Sequence, residues 1–410
     1  MAARLLLSIG CLWAMSGVVA AKTPSEWVEG PSSASALLGD PSSASTLLGD
    51  APSSGAMASS FAALKTSVRS FTFDNVSSTF SLATDSVSSA FAQATDSFIE
   101  EITKPEPCCT MCPCTYGWLE SLLLWRNNQS GSQPLVQNLN TDQTLLAAND
   151  LRFGMGAGIR AGFGVRDCCG VAWEFNYFGL YGPVATATVR GDNDLRIPGD
   201  LGLAVNNFFG VDVVDLRYAS TLNNFEVNRV CCCTCCDCPT RCRSVEWLYG
   251  FRYLNLHEIF RLSSTDFQEG TSEYRVRTNN NLYGAQIGGR FRQCHGRWSW
   301  EGTAKAGIFG NAAQQAANPI LDFPGSFLIR PAQSASGGNV AFVGDLNFTG
   351  IYQINSTWGL RAGYNLIWIE GVALAPDQLD FTNTPDSGTN LVTSGGVFLQ
   401  GINLGAEARW

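Results

Sequence analysis

The sequence predicts an all-β protein: an antiparallel transmembrane β-barrel of about 10–12 strands, preceded by a low-complexity, partly helical N-terminal arm. Apolar and polar residues alternate over long segments from Trp118 onward, which places one strand face in an apolar medium. These segments exceed the five or six residues usual in soluble sheets and match a tilted membrane crossing. Tryptophan and tyrosine lie near segment ends, as in the aromatic girdles of outer-membrane barrels.

The composition excludes several classes of function. Hydrophobic residues make up 45% of the chain and charged residues only 15%, with 42 glycines and a net charge of −9. Soluble domains carry about 25% charged residues. No basic stripe exists to bind nucleic acid. Only two histidines are present, so we expect no metal site built on histidine and no cofactor.

The N-terminal segment 1–21 is typical of a signal peptide. Arg4 precedes an apolar stretch, and the small residues Ala20 and Ala21 offer a cleavage site. A membrane anchor is the alternative, but the apolar stretch is short. The segment predicts export to an oxidising compartment.

Residues 22–107 form a Ser- and Ala-rich arm with two internal repeats. A decapeptide at 31–40 recurs almost unchanged at 41–50, and a period of eleven follows around Asp74, Asp85 and Asp96. Eleven residues make three helical turns, so this part predicts an apolar stripe on a helix. A flexible tether is the alternative. The barrel domain is then predicted at 108–410.

We predict ten strands in the barrel domain. Their approximate bounds are 117–125, 151–164, 170–181, 213–230, 243–256, 279–292, 297–309, 339–352, 356–369 and 396–410. Short and long connections alternate, which predicts periplasmic termini and turns with long extracellular loops. A parity shift predicts a bulge near Asn223–Asn224. Twelve strands would result if 258–278 formed a further hairpin.

The polar face of the strands predicts a charged lumen. The lumen-facing candidates are Arg152, Arg160, Arg217, Arg252, Arg290, Lys305, Arg361 and Arg409, with Glu174, Asp215, Glu226, Glu246, Glu301, Asp345 and Glu407. Eight positive and seven negative groups favour a weakly selective hydrophilic channel. The alternative is a lumen closed by arginine–carboxylate pairs.

The cysteines cluster before the first strand and in the predicted short turns. The disulfide candidates are Cys108, Cys109, Cys112, Cys114, Cys168, Cys169, Cys231, Cys232, Cys233, Cys235, Cys236, Cys238, Cys242 and Cys294. We expect them to form disulfides in the periplasm. The C-x-x-C spacings at 109–112 and 235–238 leave a thiolate metal site as the alternative.

Four segments carry a resemblance to a known family. They are Trp118-Leu-Glu-Ser-Leu-Leu-Leu-Trp125, Gly250-Phe-Arg-Tyr-Leu-Asn-Leu-His-Glu258, Asn281-Leu-Tyr-Gly-Ala-Gln-Ile-Gly-Gly289 and Gly401-Ile-Asn-Leu-Gly-Ala-Glu-Ala-Arg-Trp410. The stretch 108–410 resembles planctomycete outer-membrane barrels grouped as the seventh β-barrel porin family. The resemblance implies an outer-membrane barrel and a pore, and assigns no binding residues. Trp410 also resembles the C-terminal signal read by the barrel-insertion machinery.

The sequence therefore predicts an outer-membrane porin for passive diffusion of small hydrophilic solutes, with outer-membrane lipid and the insertion machinery as partners. A structural, anchoring or adhesive barrel with little conductance is the alternative. A lipase-like enzyme is disfavoured, because His257 has no serine at neighbouring positions on its face and His295 lies in a predicted turn. The sequence assigns no oligomeric state.

Overall fold

The computed structural model describes residues 114–167, 170–232, 243–323, 327–384 and 386–410. The predicted signal peptide at 1–21 and the arm at 22–107 lie outside the described residues. All of the described residues belong to the compact unit Ile99–Trp410.

Strands dominate the described residues. In chain order they are β1 (Cys114–Asn127), β2 (Pro134–Asn138), β3 (Thr144–Ala147), β4 (Met155–Arg166), β5 (Val171–Tyr181), β6 (Val184–Arg196), β7 (Phe209–Cys232), β8 (Arg243–Asp266), β9 (Gly270–His295), β10 (Trp298–Ala317), β11 (Ile320–Asp322), β12 (Phe327–Arg330), β13 (Gln333–Gln353), β14 (Trp358–Val372) and β15 (Gly395–Arg409). The helices are α1 (Gly199–Ala204) and the 3-10 turns Ala148–Asp150, Asn206–Phe208 and Pro376–Gln378. No helix in this part of the chain could cross a membrane.

Ten of the described strands close a ring in the order β1-β4-β5-β7-β8-β9-β10-β13-β14-β15. All neighbours are antiparallel, and β1 closes the ring by pairing with the last strand, β15. Each of the ten predicted strands corresponds to one strand of this ring. The predicted all-β transmembrane barrel is confirmed, because closure leaves no unpaired strand edge facing lipid.

Strand β7 has two partners along one side. Residues 222–231 pair with β5, whereas residues between 209 and 219 pair with β6. Its register with β8 runs without interruption from Val213 to Cys232, so the predicted bulge at Asn223–Asn224 is wrong. The alternative of a further hairpin within 258–278 is also wrong, because this segment extends β8 and β9. Strands β7 to β10 and β13 thus continue beyond the membrane, where β6 pairs with β7. We call this part of the barrel the extension.

The outer face of the ring carries an apolar belt. Trp358 and Trp368 lie on this face at opposite ends of β14, ten residues apart. At about 3.3 Å per residue and a tilt of about 40°, this separation spans about 25 Å along the membrane normal. That height matches the apolar band of an outer-membrane barrel. Isoleucines at the centre of the belt, such as Ile287 and Ile308, have outward side chains that are largely exposed.

We expect Ile287→Arg to destabilise the barrel in a bilayer by about 2–4 kcal/mol, since the charge would enter the hydrocarbon core. Ile287 is 70% exposed and lies between Tyr283 and Phe291 on the outer face of β9. Denaturant unfolding from liposomes measures the effect. The matched control is Phe267→Arg in the turn between β8 and β9, where we expect a change within about 0.5 kcal/mol. Equal effects of the two substitutions would contradict the assignment of this face to lipid.

Candidate functional site

The inner face of the ring holds a charged cluster, which we call the interior network. Seven cations and seven carboxylates of the described residues form it, namely Glu120, Arg160, Arg166, Glu174, Glu226, Glu246, Arg252, Arg290, Arg292, Glu301, Lys305, Asp345, Arg361 and Glu407. The most exposed of these side chains, Arg166, is only 20% exposed. The network is therefore electrically balanced and mostly withdrawn from solvent.

Arg361 on β14 lies at the centre of one part of the network. Its Nε donates to Glu120 at 2.7 Å, its Nη1 to Glu407 at 2.7 Å and its Nη2 to Glu301 at 3.0 Å. These carboxylates come from β1, β15 and β10, so one guanidinium joins four strands. The planar fork of arginine suits this arrangement, because each nitrogen meets a separate carboxylate.

Two further groups of charges complete the network. Lys305 Nζ lies 2.9 Å from Glu226 and 3.3 Å from Asp345, and Arg252 lies within 4 Å of both carboxylates. Arg290 on β9 forms a bidentate pair with Glu174 on β5, at 2.6 and 2.8 Å. Strands β9 and β5 are not neighbours in the ring, so this pair crosses the lumen.

Glycines on the inner face of β4 make room for two aromatic rings of β1. A Cβ atom at Gly162 would lie 2.2 Å from the ring of Trp118, and one at Gly164 would lie 2.4 Å from the ring of Tyr116. The Tyr116 hydroxyl donates to Glu174 at 2.6 Å, and the Arg361 guanidinium lies over Trp118. The small residues of β4 thus bring these rings against the network.

An apolar layer closes the lumen on the side of the network away from Cys114 and Trp410. The inner face of β1 passes from Glu120 to Leu122 and Leu124, and that of β8 passes from Arg252 to Leu254. The apolar layer comprises Leu122, Leu124, Phe178, Leu180, Leu222, Leu254, Leu256, Leu282, Phe309, Ala341, Val343, Ile367, Ile369, Val372, Leu374, Val397 and Leu399. None of these residues is more than 2% exposed, although their strands face the lumen. Water therefore does not fill the lumen at this level.

The space left within the network is small. A cavity of about 60 Å³ lies between side chains that include Trp118, Glu120, Arg160 and Arg361. A cavity of this size accommodates a few water molecules, each of which needs at least about 10–15 Å³. Several buried atoms of the network region, among them Arg252 Nη2 and Gln286 Oε1, have no protein partner among the described residues. Ordered water would satisfy them.

A second polar layer lies beyond the apolar layer and holds the loop between β14 and β15. Glu258 is fully buried and accepts hydrogen bonds from the Tyr218 hydroxyl at 2.7 Å and the Ala375 backbone N–H at 2.9 Å. Arg126 Nη2 lies 2.5 Å from the same carboxylate. Asn280 accepts the Ala373 N–H at 2.7 Å. This loop is therefore bound inside the barrel by charged and amide side chains.

A large apolar core fills the extension beyond this second polar layer. The loop core comprises Leu135, Val136, Ala148, Leu151, Ala185, Leu195, Ile197, Leu201, Val205, Phe208, Val211, Val214, Leu216, Tyr218, Phe260, Leu262, Tyr274, Val276, Ala317, Ile320, Ala375, Leu379 and Phe381. It combines residues of the ring strands with residues of four long connections, β1–β4, β5–β7, β10–β13 and β14–β15. Burial of these side chains, at about 25 cal/mol per Å² of apolar area, stabilises the connections in place.

Asp380 orders the far part of the β14–β15 loop. Its carboxylate accepts the Thr382 hydroxyl at 2.7 Å, the Thr382 N–H at 3.0 Å and the Gly388 N–H at 2.9 Å. Burial alone would raise the pKa of Asp380, but these hydrogen bonds outweigh burial and lower it. The ionised form is therefore the one that holds the loop.

We expect the segment 380–388 to loosen in acid. Because the pKa of Asp380 is lower in the folded protein, its contribution is present above the ordinary aspartate pKa and disappears as the pH falls through the folded value. Hydrogen exchange of the Gly388 amide between pH 7 and 3, corrected for intrinsic rates, measures the change. Asp380→Asn is expected to remove most of this pH dependence. A pH profile that the substitution leaves unchanged would contradict the assignment.

The structure brings most of the predicted lumen residues together. Arg160, Glu174, Glu226, Glu246, Arg252, Arg290, Glu301, Lys305, Asp345, Arg361 and Glu407 all lie in the interior network. Arg409 lies at the rim, where it is 39% exposed and 3.4 Å from Glu407.

Three lumen predictions are corrected by the structure. Asp215 and Arg217 are exposed on the outer face of β7, and Arg152 is exposed just before β4. The inner face of the extension is apolar and carries Leu216 and Tyr218, so its polar residues point outward. The polarity of the two faces is thus reversed beyond the membrane.

Sequence reasoning missed five inward-facing charges that form ion pairs. They are Glu120, Arg126, Arg166, Glu258 and Arg292. Arg166 and Arg292 follow Arg160 and Arg290 at even spacing on the same strands, so alternation alone could have found them. Alternation could not identify Glu120 as inward-facing, because apolar residues lie on both faces of β1.

The described cysteines lie at strand ends on the side of the chain termini. Cys114 and Cys231 are free thiols, which corrects the disulfide prediction for these two residues. Cys231 Sγ lies 3.8 Å from the Tyr249 hydroxyl, and Cys114 Sγ lies 3.8 Å from the Thr115 carbonyl oxygen. Among the other candidates, Cys108, Cys109, Cys112, Cys168, Cys169, Cys233, Cys235, Cys236, Cys238 and Cys242 lie outside the described residues.

A closed antiparallel ring with an apolar belt outside and charged side chains inside defines an outer-membrane β-barrel. A family profile described as "Putative beta barrel porin-7 (BBP7)" matches residues 205–410. The chain belongs to this family of outer-membrane barrels. The description names a porin and no enzymatic activity. A comparison with curated proteins gave no match.

Several solved structures share a distant likeness with this chain. A major outer membrane protein from Thermus thermophilus is 12% identical, with 72% of this chain and 99% of that chain covered and a TM-score of 0.28. The P. putida toluene transporter TodX is 7% identical, with 73% and 90% covered and a TM-score of 0.16. An anion-selective porin from Comamonas acidovorans is 9% identical, with 73% and 99% covered and a TM-score of 0.14. Scores this low carry no argument about function.

Proposed function

We propose that this protein is a closed outer-membrane barrel with a structural or anchoring role and little conductance. The apolar layer is the observation that supports this function. Its side chains come from the strands of the ring, except for Leu374 in the β14–β15 loop, and are at most 2% exposed. A hydrated solute would have to displace this layer and shed its water to pass. Opening such a layer would cost several kcal/mol, because buried leucine and phenylalanine side chains lose about 1.5–3 kcal/mol each on exposure.

The interior network supports the same proposal. An open aqueous pore needs a wide lumen, which barrels of sixteen or more strands provide, whereas eight strands give a filled interior. The ten-stranded ring described here lies near the filled end of this range. The seven cations of the interior network pair with its seven carboxylates, so they do not line a water-filled channel as free charges.

The anchoring role draws on the sequence of the arm at 22–107. In the proposed orientation, the termini and short turns face the periplasm and the long loops face the exterior. In that orientation the arm belongs to the periplasmic side, where we propose that it acts as a tether. Deleting residues 22–107 is expected to detach the outer membrane from the rest of the cell envelope. The permeability of the outer membrane is expected to stay unchanged.

Passive diffusion of small hydrophilic solutes is the second candidate, which family membership favours. Liposome swelling distinguishes the two. We expect proteoliposomes that contain the refolded full chain to swell in an isosmotic pentose solution no faster than protein-free liposomes. An open sixteen-stranded porin at the same protein-to-lipid ratio provides the positive control. Swelling that approaches this control would overturn the proposal and favour diffusion.

A further inference from the structure

The outer face of the extension carries a row of arginines on three adjacent strands. Arg217 on β7 lies directly opposite Arg261 on β8, which lies directly opposite Arg275 on β9. All three occupy outward positions of the sheet, and Arg277 follows two residues nearer the membrane on β9. Like charges directly opposite one another destabilise a sheet. The row is therefore unfavourable for folding unless a negative partner binds it.

The same face carries two carboxylates, Asp215 on β7 and Glu273 on β9, against four arginines. Arg261 pairs with Glu273 at 2.7 Å, but both side chains are substantially exposed. In the part of the chain that the structure describes, Arg217 and Arg275 lie within 4 Å of no carboxylate. Arg275 Nε is buried without a hydrogen-bond partner among these residues. Such a concentration of arginine is unexpected in a chain with a net charge of −9.

The height of the row above the membrane narrows the choice of partner. On β9, Tyr283 is followed on the outer face by the polar residues Asn281 and Asn279, so it marks the edge of the apolar belt, and Arg275 lies eight residues beyond it. At about 3.3 Å per residue and a tilt of about 40°, the row lies about 20 Å above this edge. The headgroup region of one phospholipid leaflet is only about 5–8 Å thick. A phosphate of an ordinary phospholipid would therefore lie well below the row.

We propose that Arg217, Arg261, Arg275 and Arg277 bind phosphate groups on the saccharide part of an outer-leaflet glycolipid of the lipopolysaccharide class. Guanidinium groups bind phosphate through paired hydrogen bonds, and four of them on one face match a headgroup with several phosphates. The inference rests on the proposed orientation, in which the long loops lie outside the cell.

A pair of double variants tests the site on the full chain in detergent. R217S/R275S removes the two arginines that lie within 4 Å of no carboxylate among the described residues, and R297S/R409S removes two arginines at the opposite end of the barrel as a charge-matched control. We expect R217S/R275S to weaken binding of purified lipopolysaccharide by at least about tenfold. The control is expected to change binding by less than about twofold. Equal weakening in both variants would overturn the proposal, because it would show a general charge effect.

Thermal unfolding provides a second readout that a structural role would not reproduce. Without lipopolysaccharide, R217S/R275S is expected to unfold at the same temperature as the wild type or higher, because the substitutions relieve repulsion. With lipopolysaccharide, the wild type is expected to become the more stable of the two. A variant that is less stable under both conditions by the same margin would contradict a ligand site.

Binding measurements with different phosphate-containing probes identify the headgroup that the arginines recognise. We expect dephosphorylated lipopolysaccharide, phosphatidylglycerol micelles and inorganic phosphate each to bind far more weakly than intact lipopolysaccharide. Phosphatidylglycerol binding as tight as that of lipopolysaccharide would overturn the glycolipid assignment.

Antibody access to an epitope tag inserted after Gln268 in intact cells tests the orientation separately. An accessible tag supports the outer-leaflet assignment, and an inaccessible tag overturns it whatever the binding result.

Discussion

Replacing Arg361 with methionine is expected to destabilise the barrel by about 3–5 kcal/mol, the usual cost of leaving buried charge unpaired. Methionine preserves much of the side-chain volume but removes the guanidinium that lies nearest to Glu120 and Glu301 and that also pairs with Glu407. These carboxylates would then repel one another in a space that holds little water. The midpoint of guanidinium unfolding from liposomes, followed by heat-modifiable mobility on gels, measures the loss.

Arg409→Met is the matched control for this prediction. Arg409 lies at the rim, where it is 39% exposed and lies 3.4 Å from Glu407. An exposed ion pair of this kind contributes about 1 kcal/mol or less. If Arg361→Met shifted the midpoint no more than Arg409→Met, the network would not be a major source of stability.

Glu258→Ala is expected to release the β14–β15 loop and to cost about 3–5 kcal/mol. The substitution leaves the buried guanidinium of Arg126 without its carboxylate partner. It also removes the acceptor for the Tyr218 hydroxyl and the Ala375 N–H. Limited proteolysis within the segment 376–392 is expected to become at least tenfold faster than in the wild type. Mass spectrometry of the cleavage sites locates the released segment.

Two further variants sharpen this test. Adding Arg126→Met to Glu258→Ala is expected to recover part of the lost stability, because the double variant no longer buries an unpaired charge. Glu273→Ala removes a partly exposed carboxylate on the outer face and is expected to leave cleavage unchanged. Unchanged proteolysis in Glu258→Ala would mean that the loop core alone holds the loop in the barrel.

The fold follows closely from the sequence because the membrane imposes a strict pattern on it. Each strand must place apolar residues in lipid at every second position over about 25 Å, and such long alternation is rare elsewhere. The ten predicted strands therefore correspond to the ten strands of the ring. The pattern reverses where the membrane ends, as it does along β7.

Alternation reveals that two faces differ but not which medium each one meets. In the membrane, Glu226 points inward and Phe225 points outward on β7. In the extension of the same strand, Leu216 points inward and Arg217 points outward, with no change of register. A fixed rule that polar residues face the lumen therefore misplaced Asp215 and Arg217.

The closed lumen was harder to predict, although the sequence contains a sign of it. In β1, Leu122 and Leu124 are apolar like their outward neighbours Leu123 and Trp125, and β14 repeats this pattern around Trp368. Apolar residues on both faces of a barrel strand indicate a lumen that excludes water. The partners of the buried charges depend on contacts across the ring, and no local pattern in the sequence encodes those.

Single-channel recording most directly tests the claim that the lumen is closed. We expect the refolded full chain, and also a variant lacking residues 376–392, to insert into a planar bilayer without conductance steps in 1 M KCl, because strand side chains form the apolar layer. An open porin in the same apparatus confirms detection. Regular steps of constant size from the full chain, at a frequency that scales with the amount of protein, would contradict the closed barrel.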